Sequence, residues 1–473
     1  MKKISCFCIF VLAVSLCSAQ LNSHPESYRI EKKDIERARQ IISTPLKGEF
    51  IVPNPHPAAQ WYPKAGLGLF MHWGIHSVAG AQPSWDMIAN YIWGGKVSPP
   101  DKYYALAEQF NPRTYNPDKW LKAAKDAGFN YAVLTTKHHD GYALWPSKYG
   151  IGTKQYIAGR DLLKPYVDAC RALDMKVGFY FSPRDWHYPG LMQPNEYDAL
   201  TWHDLKPITD KEANYRAYET FLGFVLQQIE EILTRYGKID VLWLDGMYFR
   251  GVDDMHTEQI YAWIRSLQPE IVINDRWTNI VNPDDSGGSG ISFGDFTTPF
   301  ECTKPTYTPS RWWECCHIWT STPGPGWGYD KTGTFRPYSW FFEHLVASIS
   351  LGGNFLPNVG PSDDGDMHPN YYVNMEKIAE WMKYGKESVI GAGPSPGIER
   401  SNVMITTRNN HWYLHLLPDF KEQVSLRTDK RPQSVTLLQT GKNIPYYYRD
   451  GFIKFTLPDD VRTDTDDVVK VSF

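Results

Sequence analysis

Ile239-Asp-Val-Leu-Trp-Leu-Asp-Gly246 is a short apolar run, rich in branched residues, that ends in a carboxylate and a glycine. It follows closely on a long helical pattern, Ala213 to Tyr236, stopped by Gly237. Such a run after a helix reads as a strand buried on both faces of a parallel sheet. Asp245 then stands at the strand's C-terminal end. A β/α barrel builds its catalytic site on that face. A carboxylate placed there is a candidate nucleophile for glycoside hydrolysis.

The same rhythm extends in both directions. Strand patterns at 66–74, 130–138, 176–182, 270–276 and 353–360 alternate with helical patterns at 118–127, 161–174, 256–268 and 339–351. Asp118 is a plausible N-cap for the first of these helices. The alternation predicts a (β/α)8-like, TIM-type barrel. An open doubly wound sheet is the other solution, but no Gly-x-Gly-x-x-Gly turn supports a nucleotide crevice. Beyond Tyr384 the rhythm changes. The stretch from Gly385 to Pro396 is rich in Gly, Pro and Ser, a linker composition. Short runs separated by turns follow, the pattern of a small antiparallel β-sandwich. The expected organisation is a leader over 1–19, a catalytic barrel over 20–390 and a sandwich over 391–473.

The leader, Met1 to Ala19, has two lysines, an apolar stretch and the small-residue exit Ser18-Ala19. It reads as a secretory signal peptide cleaved before Gln20, which implies an exported, periplasmic or extracellular protein. Bulky Leu16 disfavours a lipoprotein anchor at Cys17. No later segment is long and apolar enough to span a bilayer. A net charge of -4 leaves no basic footprint for nucleic acid. Aromatic residues make up 15% of the chain. They suit sugar-ring stacking and a large core equally well. After the leader, Cys170, Cys302, Cys315 and Cys316 remain; their spacing is not that of a zinc site, and they read as thiols.

Polar groups gather at the predicted strand ends: His72, the pair His138-His139, Asp245, and Asn274-Asp275-Arg276. A packed core alone would avoid them. Together with Leu69-Phe-Met-His-Trp-Gly74, Lys137-His-His-Asp-Gly-Tyr142, Leu242-Trp-Leu-Asp-Gly246 and Ile273-Asn-Asp-Arg-Trp277, the chain carries four further motifs. These are Gly294-Asp-Phe-Thr-Thr-Pro299, Trp313-Glu-Cys-Cys316, Gly326-Trp-Gly-Tyr329 and Gly353-Asn-Phe-Leu-Pro-Asn-Val-Gly-Pro361. In this order they resemble the α-L-fucosidases of glycoside hydrolase family 29.

The resemblance implies a retaining exo-α-L-fucosidase acting on fucosylated oligosaccharides or glycoconjugates. Asp245 would be its nucleophile. The acid/base position varies within the family and points here to Glu301 or to Glu314. Glu301 is favoured by its spacing from Arg276, although Phe300 stands between Pro299 and the glutamate and departs from the family pattern. His72, His138 and His139 match hydroxyl-binding histidines, and Arg276 matches the arginine at the catalytic centre. Trp327 matches an aromatic near the sugar methyl, and Tyr180 or Phe181 a site aromatic. Pro83-Ser-Trp-Asp-Met87 departs from the family's Glu-Trp; Trp85 still falls where it can line the pocket. Two carboxylates suffice for the chemistry, so neither a metal nor an organic cofactor is expected. Two other readings stay open: a retaining barrel glycosidase for another sugar, such as an α-galactosidase, and a non-catalytic sugar-binding protein on the same barrel.

Overall fold

A computed structural model describes residues 24–48, 50–87, 98–189, 209–245, 254–277, 293–321 and 326–473. The predicted leader lies outside the described residues. Eight parallel strands form one sheet: β1 (Gly68–Met71), β2 (Tyr131–Lys137), β3 (Lys176–Phe181), β4 (Val241–Leu244), β5 (Val272–Ile273), β6 (Phe296–Thr297), β7 (Trp312–Ile318) and β8 (Asn354–Val359). They are ordered β5-β4-β3-β2-β1-β8-β7-β6. A parallel bridge from Asn274, just beyond β5, to Phe296 in β6 joins the two ends. The strands therefore follow one another round a closed ring, and closure leaves no edge to protect.

Helices of ten or more residues are α1 (Lys32–Ser43), α2 (Pro117–Asp126), α3 (Leu163–Ala172), α4 (Lys211–Arg235), α5 (Thr257–Leu267), α6 (Tyr338–Ser350) and α7 (Pro369–Val389). Helices α2 to α5 join β1 to β5 in turn, α6 joins β7 to β8, and α7 follows β8. Side chains alternate along each strand. Phe70, Val133, Tyr180, Val241, Trp243, Val272, Phe296, Cys316 and Leu356 fill the barrel interior. Leu69, Met71, Leu134, Phe181, Leu242 and Leu244 pack outward against the helices.

Four features depart from the sequence expectation. Helix α1 was not anticipated; it buries only Asp34, Ala38, Ile41 and Ile42. It lies across α4 at Gly223, where a Cβ would come within 3.2 Å of the Ile35 backbone. Helix α2 is capped at Asn116 rather than Asp118, because Pro117 occupies its first turn. Strand β7 lies in a stretch that reads as a patternless loop; its residues are buried but include Glu314 and His317. Finally, α7 runs through Gly385 to Val389, so the linker composition begins inside a helix. A Cβ at Gly385 would meet the Trp381 ring at 2.5 Å, and the bulky indole needs that space.

Eight short strands between Met404 and Ser472 form a five-stranded and a three-stranded antiparallel sheet. Ile405, Leu414, Leu426, Ile453, Phe455, Val469 and Val471 lie in the core between them. This sandwich is bonded to α7. Thr406 Oγ1 donates to Ser388 O at 2.6 Å, and Trp381 Nε1 donates to Asp466 O at 2.7 Å. The Asp466 carboxylate pairs in turn with His415 Nδ1 at 2.6 Å, both side chains being fully buried. Among the described residues, no helix is long and apolar enough to cross a membrane.

Candidate active site

Asp245 continues the inward parity of Val241 and Trp243 and is the first residue past β4. Its backbone N–H donates to Phe181 O at 3.2 Å. Both carboxylate oxygens accept hydrogen bonds: Oδ1 from Arg276 Nη1 at 3.1 Å, and Oδ2 from Tyr180 OH at 2.6 Å. His139 Nε2 lies 3.6 Å from Oδ2. Tyr180 is thus the inward residue of β3, and its neighbour Phe181 faces outward.

Arg276 organises the other side. Its Nε donates to Thr298 Oγ1 at 2.7 Å, and its Nη2 forms an ion pair with Glu301. The guanidinium lies 4.6 Å over the Trp243 ring. One rigid cation therefore holds both carboxylates, each through its own nitrogen, the fork geometry that makes arginine suited to the task. The additional residue, Phe300, does not turn Glu301 away. Phe300 is buried against Trp313 and Tyr307, while Glu301 remains 42% exposed beside Arg276.

Glu314 lies elsewhere. It pairs with Asn354 at the start of β8, deep in the barrel, and is fully buried. Its Oε2 accepts from Tyr131 OH at 2.5 Å and Tyr62 OH at 3.2 Å, and its Oε1 from Trp243 Nε1 at 2.9 Å. Burial pushes its carboxyl up to about 7 against the pull of those donors. A carboxyl with no exposed surface and both oxygens engaged is not placed to protonate a leaving group. Glu314 instead supports Trp243 from inside the barrel.

The three histidines gather beside Tyr180 and Asp245. His72 Nδ1 contacts Asn358 Oδ1 at 2.7 Å, while Asn358 Nδ2 donates to Trp327 O at 2.8 Å. Since Oδ1 can only accept, His72 Nδ1 carries a proton and Nε2 is an acceptor. Ser84 Oγ accepts from Asp140 N at 2.8 Å and lies 2.6 Å from His138 Nδ1; this arrangement suits a serine proton given to Nδ1, leaving Nε2–H as a donor. Ser182 Oγ donates to Arg184 O at 3.0 Å and lies 2.6 Å from His139 Nδ1, so His139 donates there and its Nε2 accepts. Burial lowers all three imidazoles, His72 to about 4 and the others well below the usual range, with neighbouring imidazoles adding to the effect for His138 and nearby Arg184, Lys137 and Arg276 for His139. Neutral rings with fixed tautomers give a mixed set of donors and acceptors suited to a polyol.

Aromatic rings complete the cavity. Tyr180 is sandwiched between His138 at 5.4 Å and Trp243 at 5.6 Å, both stacked. Trp327 packs 5.0 Å from His72 and 5.9 Å from Phe70. Trp85 meets His139 at 5.3 Å and Trp186 at 5.1 Å, edge-on. Every residue expected in the pocket except Glu314 is therefore brought together. Trp243, Asn358, Ser84, Ser182, Thr298 and Trp186 were not anticipated. Trp243 had a readable signal, since it precedes Asp245 by two and must share its face. His138, His139 and Asp245 bring ligand atoms within 4.8 Å of one another. The same atoms can meet a sugar's hydroxyls, and Asp245 already faces a guanidinium.

Carboxylates gathered at the C-terminal ends of barrel strands, with neutral histidines and aromatic rings beside them, put the chain among the barrel glycoside hydrolases. Its sequence also matches the family model described as alpha-L-fucosidase over residues 50–387. The chain belongs to the alpha-L-fucosidase family. The tissue alpha-L-fucosidase of Bos taurus is 28% identical over 385 residues, covering 76% of this chain and 75% of the relative. Alpha-L-fucosidase isoenzyme 1 from Paenibacillus thiaminolyticus is 26% identical with a TM-score of 0.73, over 88% of this chain and 98% of that one. A family 29 alpha-L-fucosidase from Bacteroides thetaiotaomicron, solved as a trapped covalent intermediate with 2-fluoro-fucosyl fluoride, is 25% identical with a TM-score of 0.74, over 91% and 99%.

Proposed function

We propose that this enzyme is a retaining exo-α-L-fucosidase that removes terminal fucose from fucosylated glycans by double displacement. The observation that carries the proposal is the single guanidinium of Arg276, bonded to Asp245 on one nitrogen and to Glu301 on the other. In the first step an Asp245 oxygen bonds to C1 of the sugar as the C1–O bond to the leaving group breaks. Glu301 gives that oxygen its proton. In the second step Glu301 takes a proton from water, the water oxygen bonds to C1, and the Asp245 ester bond breaks. His72, His138 and His139 meet the ring hydroxyls, and Trp327 faces the methyl. The covalent intermediate trapped in the Bacteroides relative is of the kind this scheme requires. The leader over Met1–Ala19 makes export part of the same proposal, so activity belongs in the periplasmic or extracellular fraction.

Incubation with 2-fluoro-fucosyl fluoride followed by peptide mapping tests the scheme. The sugar should be found on the peptide carrying Asp245. A label on another carboxylate, or turnover of the reagent with no label at all, refutes it. A panel of nitrophenyl glycosides separates fucose from galactose as the preferred sugar.

A further inference from the structure

Thr298 and Glu301 both bind Arg276, and only Pro299 and Phe300 stand between them. Phe300, directly before the glutamate, is 4% exposed. Its ring meets Trp313 of β7 edge-on at 5.1 Å and Tyr307 at 4.8 Å. The chain after the glutamate is fixed by Cys302, whose φ of 55° turns it and whose N–H donates to Cys316 O at 3.0 Å. Glu301 itself keeps 42% of its side chain exposed, and among the described residues its polar partner is Arg276. Beyond that ion pair, the anchors on either side locate it.

We infer that Phe300 is the positioning residue of the acid/base, a buried wedge that fixes this segment and so delivers the Glu301 carboxyl to the leaving-group oxygen. This inference rests on the reading of Glu301 given above. Truncating the wedge lets the segment relax while Asp245, Arg276 and the sugar pocket keep their own supports. A displacement of about 1 Å can cost about 10²-fold, within the about 10²–10⁴-fold that a general acid supplies. The loss should fall only on substrates whose leaving group needs a proton.

The test compares kcat/KM on a fucosyl disaccharide and on an activated aryl fucoside for wild type, Glu301→Ala, Phe300→Ala, Phe300→Leu and Tyr307→Ala. Phe300→Ala should lose about 10²-fold on the disaccharide and almost nothing on the aryl fucoside, with KM unchanged. Phe300→Leu, which refills much of the site, should recover most of the loss. Tyr307→Ala removes a ring that is 43% exposed, so it serves if Phe300→Ala does not fold; it should show a smaller loss with the same asymmetry. Equal losses on both substrates, or no loss, overturn the role of Phe300 while leaving Glu301 intact. If Glu301→Ala itself shows no asymmetry, the acid/base reading has failed, and the role of Phe300 fails with it.

Discussion

Replacing Glu314 by glutamine should flatten the pH dependence of stability between about 4.5 and 7. In the unfolded chain this carboxyl ionises near its ordinary 4.5; in the barrel, burial holds the proton until about 7. Across that window the native state keeps a proton that the unfolded state has lost, so stability falls as pH rises. The contribution is fully present below 4.5 and gone above about 7. At 1.36 kcal/mol per pH unit the window is worth about 3 kcal/mol. Glutamine has a similar shape and no proton to lose. Relative to wild type, Glu314→Gln should gain about 3 kcal/mol on going from pH 4.5 to 8. With about 2.1 cal/mol/K of unfolding entropy per residue, this is a relative rise in Tm of about 3 °C if barrel and sandwich melt together. Calorimetry of both proteins across the pH series measures it. A Tm difference that stays constant from pH 4.5 to 8 would refute the reasoning.

Lys137→Met should destabilise the fold by about 3–5 kcal/mol, because Asp185 would be left buried without the cation now 3.4 Å away; a fall in Tm of roughly 3–5 °C checks it. The same change should raise KM, since Trp186, next to Asp185, donates to His139 O at 2.7 Å. His72, lowered to about 4 by burial, should stay neutral from pH 5.5 to 8. A flat NMR chemical shift for its ring protons is expected, and a midpoint near 6.5 would contradict it.

Most of the barrel was readable because its strands obey one rule: apolar on both faces, then a polar residue at the C-terminal end. Strands that break the rule were not. Strand β7 carries Glu314 inside the barrel, where it is matched by Tyr62, Tyr131 and Trp243 from distant parts of the chain. A single sequence gives no sign of such partners, so the segment resembles a loop. Strand β6 has two residues, too few to set a period. Helix α1 escaped notice because its narrow apolar face becomes meaningful only against α4. The choice between Glu301 and Glu314 had the same root. Both residues lie near Trp or Phe in the sequence, but only packing shows that Phe300 is buried while its neighbour faces Arg276.

The joint between α7 and the sandwich has a consequence for how this architecture can change over time. His415 and Asp466 are as dry as any core leucine, and their chain of hydrogen bonds ends on Trp381 and Ser388 of the barrel. A recombination event that swapped the C-terminal sheets for a foreign module would remove that polar pair and strand the Trp381 indole N–H and the Ser388 carbonyl in a non-aqueous seam. The sandwich is therefore no portable appendage. It can diversify on its outer strands but must be inherited together with the helix it is bonded to.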